Sequence, residues 1–135
     1  MSPDDAAKIW SLNYQVLLSV ISSVETDITA LGLESKELFL LAEIDDHPFP
    51  AELASTMSMP KATVTVYLKR LEAAGLMRRE IDPADLRRHR LELTPAGRRA
   101  TNDGLALLSE AFGKRLERLT RSQRKELKNL LEQIL

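Results

Sequence analysis

Apolar residues keep helical spacing along almost the whole chain and lapse from it in one place. Between residues 61 and 74, Val64, Leu68 and Leu71 return every three or four positions, which predicts a helix, and Gly75 supplies a left-handed stop. Residues 76–81 and 89–93 then predict two strands, joined through Asp82, Pro83, Ala84 and Asp85, whose types favour a turn. Thr94 and Pro95 open the next helix as cap and first-turn residue, and Leu105, Leu108, Ala111, Phe112 and Leu116 continue its apolar side.

Upstream, Ser2 caps a helix expected to reach Ala30, with Pro3 in its first turn and Asp4 and Asp5 at the positive end of its dipole. Its apolar residues, Ile9, Trp10, Tyr14, Val16, Leu17, Val20, Ile21, Val24 and Ile28, occupy more than the single stripe a surface helix buries. Two faces are therefore expected to be covered, the second by another subunit or by a central position in a monomer. Leu31 and Gly32 end that helix, and a second over residues 34–44 turns Leu38, Leu41 and Ala42 inward. After the break His47-Pro48-Phe49-Pro50, a third over residues 51–57 turns Leu53 and Ala54 inward. Ser58, Met59 and Pro60 make a tight turn into the helix of residues 61–74, so the pair reads as a helix-turn-helix whose second helix enters a DNA major groove. Thr120 caps a last helix in which Leu127, Leu130, Leu131, Ile134 and Leu135 form one stripe. The fold class expected is mainly α with a small β-hairpin wing.

Composition narrows the function classes. A chain of 135 residues is one domain's worth of sequence. It has no cysteine, which excludes disulfides and thiolate metal sites, and its two histidines, His47 and His89, are too isolated to suggest zinc. No apolar run approaches the roughly 18 residues of a membrane span and no secretory leader is visible, so a cytoplasmic protein without membrane contact is expected. No Ser/His/Asp set, glycine-rich phosphate loop or paired-histidine motif occurs, and the chain is expected to be neither an enzyme nor a cofactor carrier.

The net charge of −1 hides an uneven distribution. Residues 1–59 hold Lys8 and Lys36 against ten acids, whereas residues 60–90 hold eight basic residues against Glu72, Glu80, Asp82 and Asp85. Positive charge thus gathers on the second helix and the hairpin, either as a solvated surface or as an electrostatic footprint for nucleic acid. In a helix-turn-helix the outward residues near the start of the second helix meet base edges. Here they are Lys61, Thr63 and Thr65, with Lys69 and Arg70 placed for phosphates.

The hairpin and its surroundings resemble the MarR family of winged-helix transcription regulators. Asp85-Leu86-Arg87 followed by Leu91, Leu93-Thr94 and Gly97 is similar to that family's wing pattern, and Leu53-Ala54 with Arg70-Leu71-Glu72 and Gly75-Leu76 is similar to its helix-turn-helix. The resemblance implies a homodimer on double-stranded DNA, with recognition helices in successive major grooves and Arg87 of each wing in a minor groove. A guanidinium on a hairpin suits a narrow minor groove, where negative potential is concentrated. Arg88 and Arg90 read as phosphate contacts, and Asp85, which phosphates would repel, reads as the residue that positions an arginine. The domain plan implied is a winged lobe over residues 33–97 and dimerisation helices over 1–32 and 98–135.

Two positions depart from the family's pattern. Pro60 stands where a capping serine is frequent, and Val66 stands where a basic or polar residue is frequent, which leaves Val66 either an apolar contact such as a thymine methyl or none. The resemblance also implies a small aromatic or apolar effector. Trp10 and Tyr14, one turn apart, are candidates to line its pocket, against the commoner reading of such residues as core or interface aromatics. A winged helix used for protein contacts alone is the alternative function.

Overall fold

The computed structural model describes residues 1–135. Six helices and one hairpin follow in the order α1 (Pro3–Ala30), α2 (Ser35–Glu43), α3 (Pro50–Thr56), α4 (Lys61–Ala73), β1 (Met77–Asp82), β2 (Asp85–Leu93), α5 (Pro95–Leu116) and α6 (Arg121–Ile134). The chain forms two compact units, Glu25–Ala106 and the pair of segments Met1–Val24 with Leu107–Leu135. The first of these is wider at both ends than the lobe of residues 33–97 expected from sequence.

The unit Glu25–Ala106 is built around α2. Leu38, Leu40, Leu41 and Ile44 are all fully buried, joined by Ile28, Leu53, Val64, Leu68, Leu71, Met77 and Leu91. Each such side chain contributes roughly 1.5 to 3 kcal/mol of transfer free energy. Ala42, expected inward, is only half-buried, and Leu40 takes a core place instead. A helix enclosed on several sides has no single inward stripe. Glu34 and Glu37 cap α2 reciprocally, with Glu37 Oε1 accepting from the Glu34 N–H at 2.9 Å. Pro50 occupies the first turn of α3, and Gly75 (φ 74°) closes α4 in the left-handed region.

β1 and β2 pair antiparallel from Met77 opposite Leu93 to Ile81 opposite His89. The second strand begins at Asp85, four residues before the expected start at His89. Between Leu86 and Arg90 every residue is exposed, so backbone pairing extends the strand where no buried face leaves a mark on the sequence. The hairpin returns into α5 through a tight junction. Thr94 Oγ1 donates to the Gly75 carbonyl at 2.6 Å and accepts from the Gly97 N–H at 3.0 Å, while the Thr94 N–H donates to the Leu76 carbonyl at 3.2 Å.

In the unit formed by Met1–Val24 and Leu107–Leu135, Ser2 Oγ caps α1 by accepting from the Asp5 N–H at 3.1 Å. Thr120 forms a capping box with Gln123 at the start of α6. Val20 and Val24 are buried, but Ile9, Trp10, Leu12, Leu17 and Leu18 on α1 are exposed, and α6 buries no residue at all. One chain therefore leaves much of this apolar surface uncovered. No single helix is long and apolar enough to cross a membrane.

Candidate nucleic-acid interface

The α3–α4 pair meets through Ser58, whose φ of 51° makes it the one non-glycine residue in the left-handed region. Pro60 is the N-cap of α4 and provides no side-chain cap bond, in keeping with its departure from the serine pattern. Val64, Leu68 and Leu71 anchor α4 to the core, which turns Lys61, Thr65, Val66 and Lys69 to solvent and leaves Thr63 half-buried. Thr65 Oγ1 donates to the Lys61 carbonyl at 2.9 Å, so its one hydroxyl proton is used within the helix. Arg70 lies 5.7 Å from the centre of the Tyr67 ring and 3.5 Å from the Glu34 carboxylate.

The wing is fastened at its base and free at its tip. The Leu91 N–H donates to the Pro48 carbonyl at 2.7 Å, a contact that ties β2 to the segment before α3. Arg88 sits over the Phe49 ring at 3.6 Å, with the Glu52 carboxylate 3.8 Å away. Arg78 on β1 pairs across the hairpin with Glu92 at 2.8 Å. At the tip, Asp82 Oδ1 accepts from the Ala84 N–H, and Asp85 Oδ1 accepts from both the backbone N–H and Nε of Arg87, at 3.0 and 3.3 Å. The Arg87 side chain is otherwise in water, 91% exposed.

The structure therefore separates the sequence candidates. Ion pairs reach Arg70, Arg78, Arg79, Arg87 and Arg88, leaving Lys61, Lys69 and Arg90 without a carboxylate partner. Arg88 has partners that the sequence did not suggest: it bridges wing and α3, lying over an aromatic face with a carboxylate nearby, and remains about half exposed. Phe49 and Glu52, which hold it, carry no local signal of that role, since the contact joins residues far apart in sequence. Trp10 and Tyr14 stack on each other with ring centres 6.0 Å apart, both exposed on α1. The cleft of about 490 Å³ in their unit is lined by Gln15, Val16, Ser19, Phe112, Arg115, Leu116, Arg118, Leu119 and Leu127 and includes neither. Alternation along a helix explains this difference, because Val16 and Ser19 face that cleft from the other side of α1 than Trp10.

A second long-range pair, also silent in sequence, joins Asp45 to Arg98. The guanidinium donates to both carboxylate oxygens, at 2.9 and 3.3 Å. That hydrogen bonding holds the Asp45 carboxyl below its ordinary value of 3.8 and raises Arg98, while partial burial of Asp45 opposes the shift and the charge of Arg98 adds to it. A depressed carboxylate stabilises the fold above its unfolded value and loses that contribution as pH falls through the folded one. Asp45→Asn is expected to lower the thermal midpoint slightly at neutral pH, and the difference from the wild type is expected to shrink as pH falls below the ordinary carboxylate value of 3.8, read by circular dichroism melts. The effect is small because both partners are more than half exposed.

A buried helix-turn-helix with a basic β-hairpin beside its second helix is a winged helix-turn-helix. Comparison with known proteins defines it further. The MarR family model matches residues 33–89. The chain is 30% identical to the HTH-type transcriptional repressor Rv2887 of Mycobacterium tuberculosis over 132 residues, 96% of this chain and 95% of that protein. The crystal structure of the M. tuberculosis MarR family protein Rv2887 in complex with salicylic acid has a TM-score of 0.74 at 29% identity, covering 92% of this chain and 93% of that one. A MarR family transcriptional regulator from Rhodococcus sp. RHA1 has a TM-score of 0.81 at 23% identity, covering 99% and 96%. The chain belongs to the MarR family.

Proposed function

We propose that the protein is a homodimeric transcriptional regulator, a repressor that binds an inverted-repeat site on double-stranded DNA and responds to a small aromatic effector. The observation that carries this reading is the distribution of unneutralised cations. Lys61 and Lys69 on α4 and Arg90 on β2 have no carboxylate partner, and Arg87 at the tip, paired only with the neighbouring Asp85, is 91% exposed; all four belong to one compact unit, while carboxylates approach Arg70, Arg78, Arg79 and Arg88. Cations left free on a groove-sized helix and a hairpin provide the sequence-independent attraction to phosphates on which specific contacts are built. The name repressor given to the M. tuberculosis relative supports the regulatory role. The salicylic acid held by that relative supports a small aromatic anion as effector class. Such a ligand acts only if it binds the DNA-competent and incompetent states unequally.

Dimerisation is proposed to use residues 1–32 and 98–135, where the apolar residues of α1 and the Leu130, Leu131 and Ile134 stripe of α6 lie uncovered in one chain. Leu130 and Leu131 lie outside the buried core, and replacing both by Glu is expected to convert the dimer to a folded monomer in light scattering. An unchanged dimer would place the interface elsewhere. The function itself is tested by selection from a random duplex library at low salt. Enrichment of a two-fold symmetric site is expected. No enrichment would favour the winged helix as a protein-contact module.

A further inference from the structure

On the side of α4 opposite Val64, Leu68 and Leu71 runs a line of small apolar residues. At 3.6 residues per turn, Ala62, Val66 and Ala73 fall within about 40° of one another around the helix. All three are exposed, Val66 by 51%. Valine is a poorer helix former than alanine and lies outside the buried core here, so neither helix propensity nor core burial accounts for it. Lys69, without a carboxylate partner, lies beside the line, and Lys61, also unpaired, lies farther round on the same side at the helix start, which gives this apolar strip a cationic margin suited to a phosphate-walled groove.

Apart from Lys61 and Lys69, the polar groups that could compete for base reading from the same face are committed elsewhere. Thr65 uses its proton on the Lys61 carbonyl, Thr63 is half-buried, and Arg70 is held between Tyr67 and Glu34. No Asn or Gln occurs in α4. The bidentate pairings that read guanine through Arg and adenine through Asn or Gln are thus missing from the centre of the face. What remains besides the two lysines is methyl surface, and on the major-groove edges of the four bases the one apolar group is the C5-methyl of thymine.

We propose that Val66, with Ala62 one turn before it, reads thymine methyl groups in the major groove, so that thymine specifies the centre of each half-site. This rests on the DNA-binding reading above. Lys61 and Lys69 hold the helix against the phosphates, and the valine methyls meet the thymine methyl in a dry contact.

The test uses the full-length protein and its selected duplex, with each thymine replaced in turn by deoxyuridine. That change deletes one methyl and leaves every hydrogen-bonding group in place. At one or two positions per half-site the affinity is expected to fall about four-fold, and about sixteen-fold when both half-sites are changed together. Val66→Ala, at an exposed position where alanine is the better helix former, keeps the fold. It is expected to bind the thymine site more weakly and to lose the preference for thymine over uracil at those positions. Unchanged affinity throughout the deoxyuridine series, or a Val66→Ala protein with the full thymine preference, would overturn the assignment while leaving DNA binding intact. A protein that enriches no DNA site would instead remove the DNA-binding reading, and this assignment with it.

Discussion

Gly97→Ala is expected to lower the thermal midpoint by about 10 °C, the largest loss from deleting no atom at all. A Cβ on Gly97 would lie 1.8 Å from the Leu76 carbonyl oxygen and 2.8 Å from its carbon. Both are backbone atoms that cannot rotate aside, and the same oxygen accepts the Thr94 N–H. Making room means separating the start of α5 from the end of α4, which strains the Thr94 bonds to Gly75 and Gly97 as well. Overpacking of this kind costs about 1 to 3 kcal/mol and each weakened bond about 1 more, against a total stability of roughly 5 to 15. Gly104→Ala is a useful contrast, because its Cβ meets the Leu38 side chain at 2.6 Å rather than backbone, and helix propensity partly offsets the crowding. Melts of both variants check the ranking, and a Gly97→Ala protein as stable as the wild type would show that the junction is looser than drawn.

Arg87→Ala is expected to leave folding and dimerisation unchanged and to weaken binding to the selected site about 10- to 100-fold, since a dimer loses two wing arginines. The side chain touches only Asp85 within the chain, so its removal leaves no buried group unpaired. Arg87→Lys keeps the charge but not the planar fork, and an intermediate affinity is expected. The measurement is a fluorescence-anisotropy titration of each variant with its melt recorded alongside. Full affinity in Arg87→Ala would take the wing out of DNA recognition.

Those two residues illustrate what could be read from the chain and what could not. Helix α4, its Gly75 stop, the Ser2 and Thr120 caps and the turn at residues 82–85 are local matters, decided by a few neighbouring side chains, and residue types announce them. Gly97 was visible as part of a family pattern, but its reason, a carbonyl 21 positions earlier, exists only after folding. The outer half of β2 escaped notice because a strand wet on both faces has no alternation to read. The division of the arginines was likewise hidden. Arg88 finds Phe49 and Glu52, and Arg70 finds Glu34, across separations no local pattern encodes. Charge counting located the basic segment; geometry decided which of its charges stay free.

Dimeric, sequence-specific DNA binding is tested most directly by one titration, the dimer binding its selected duplex and a scrambled duplex between about 50 and 200 mM salt. Proteins that make roughly six to ten phosphate contacts lose about 10³ to 10⁵ in affinity over that range, and a linear fall of log affinity with log salt of that order is expected, the selected duplex remaining the tighter ligand throughout. Equal affinity for the two duplexes, or binding indifferent to salt, would contradict it.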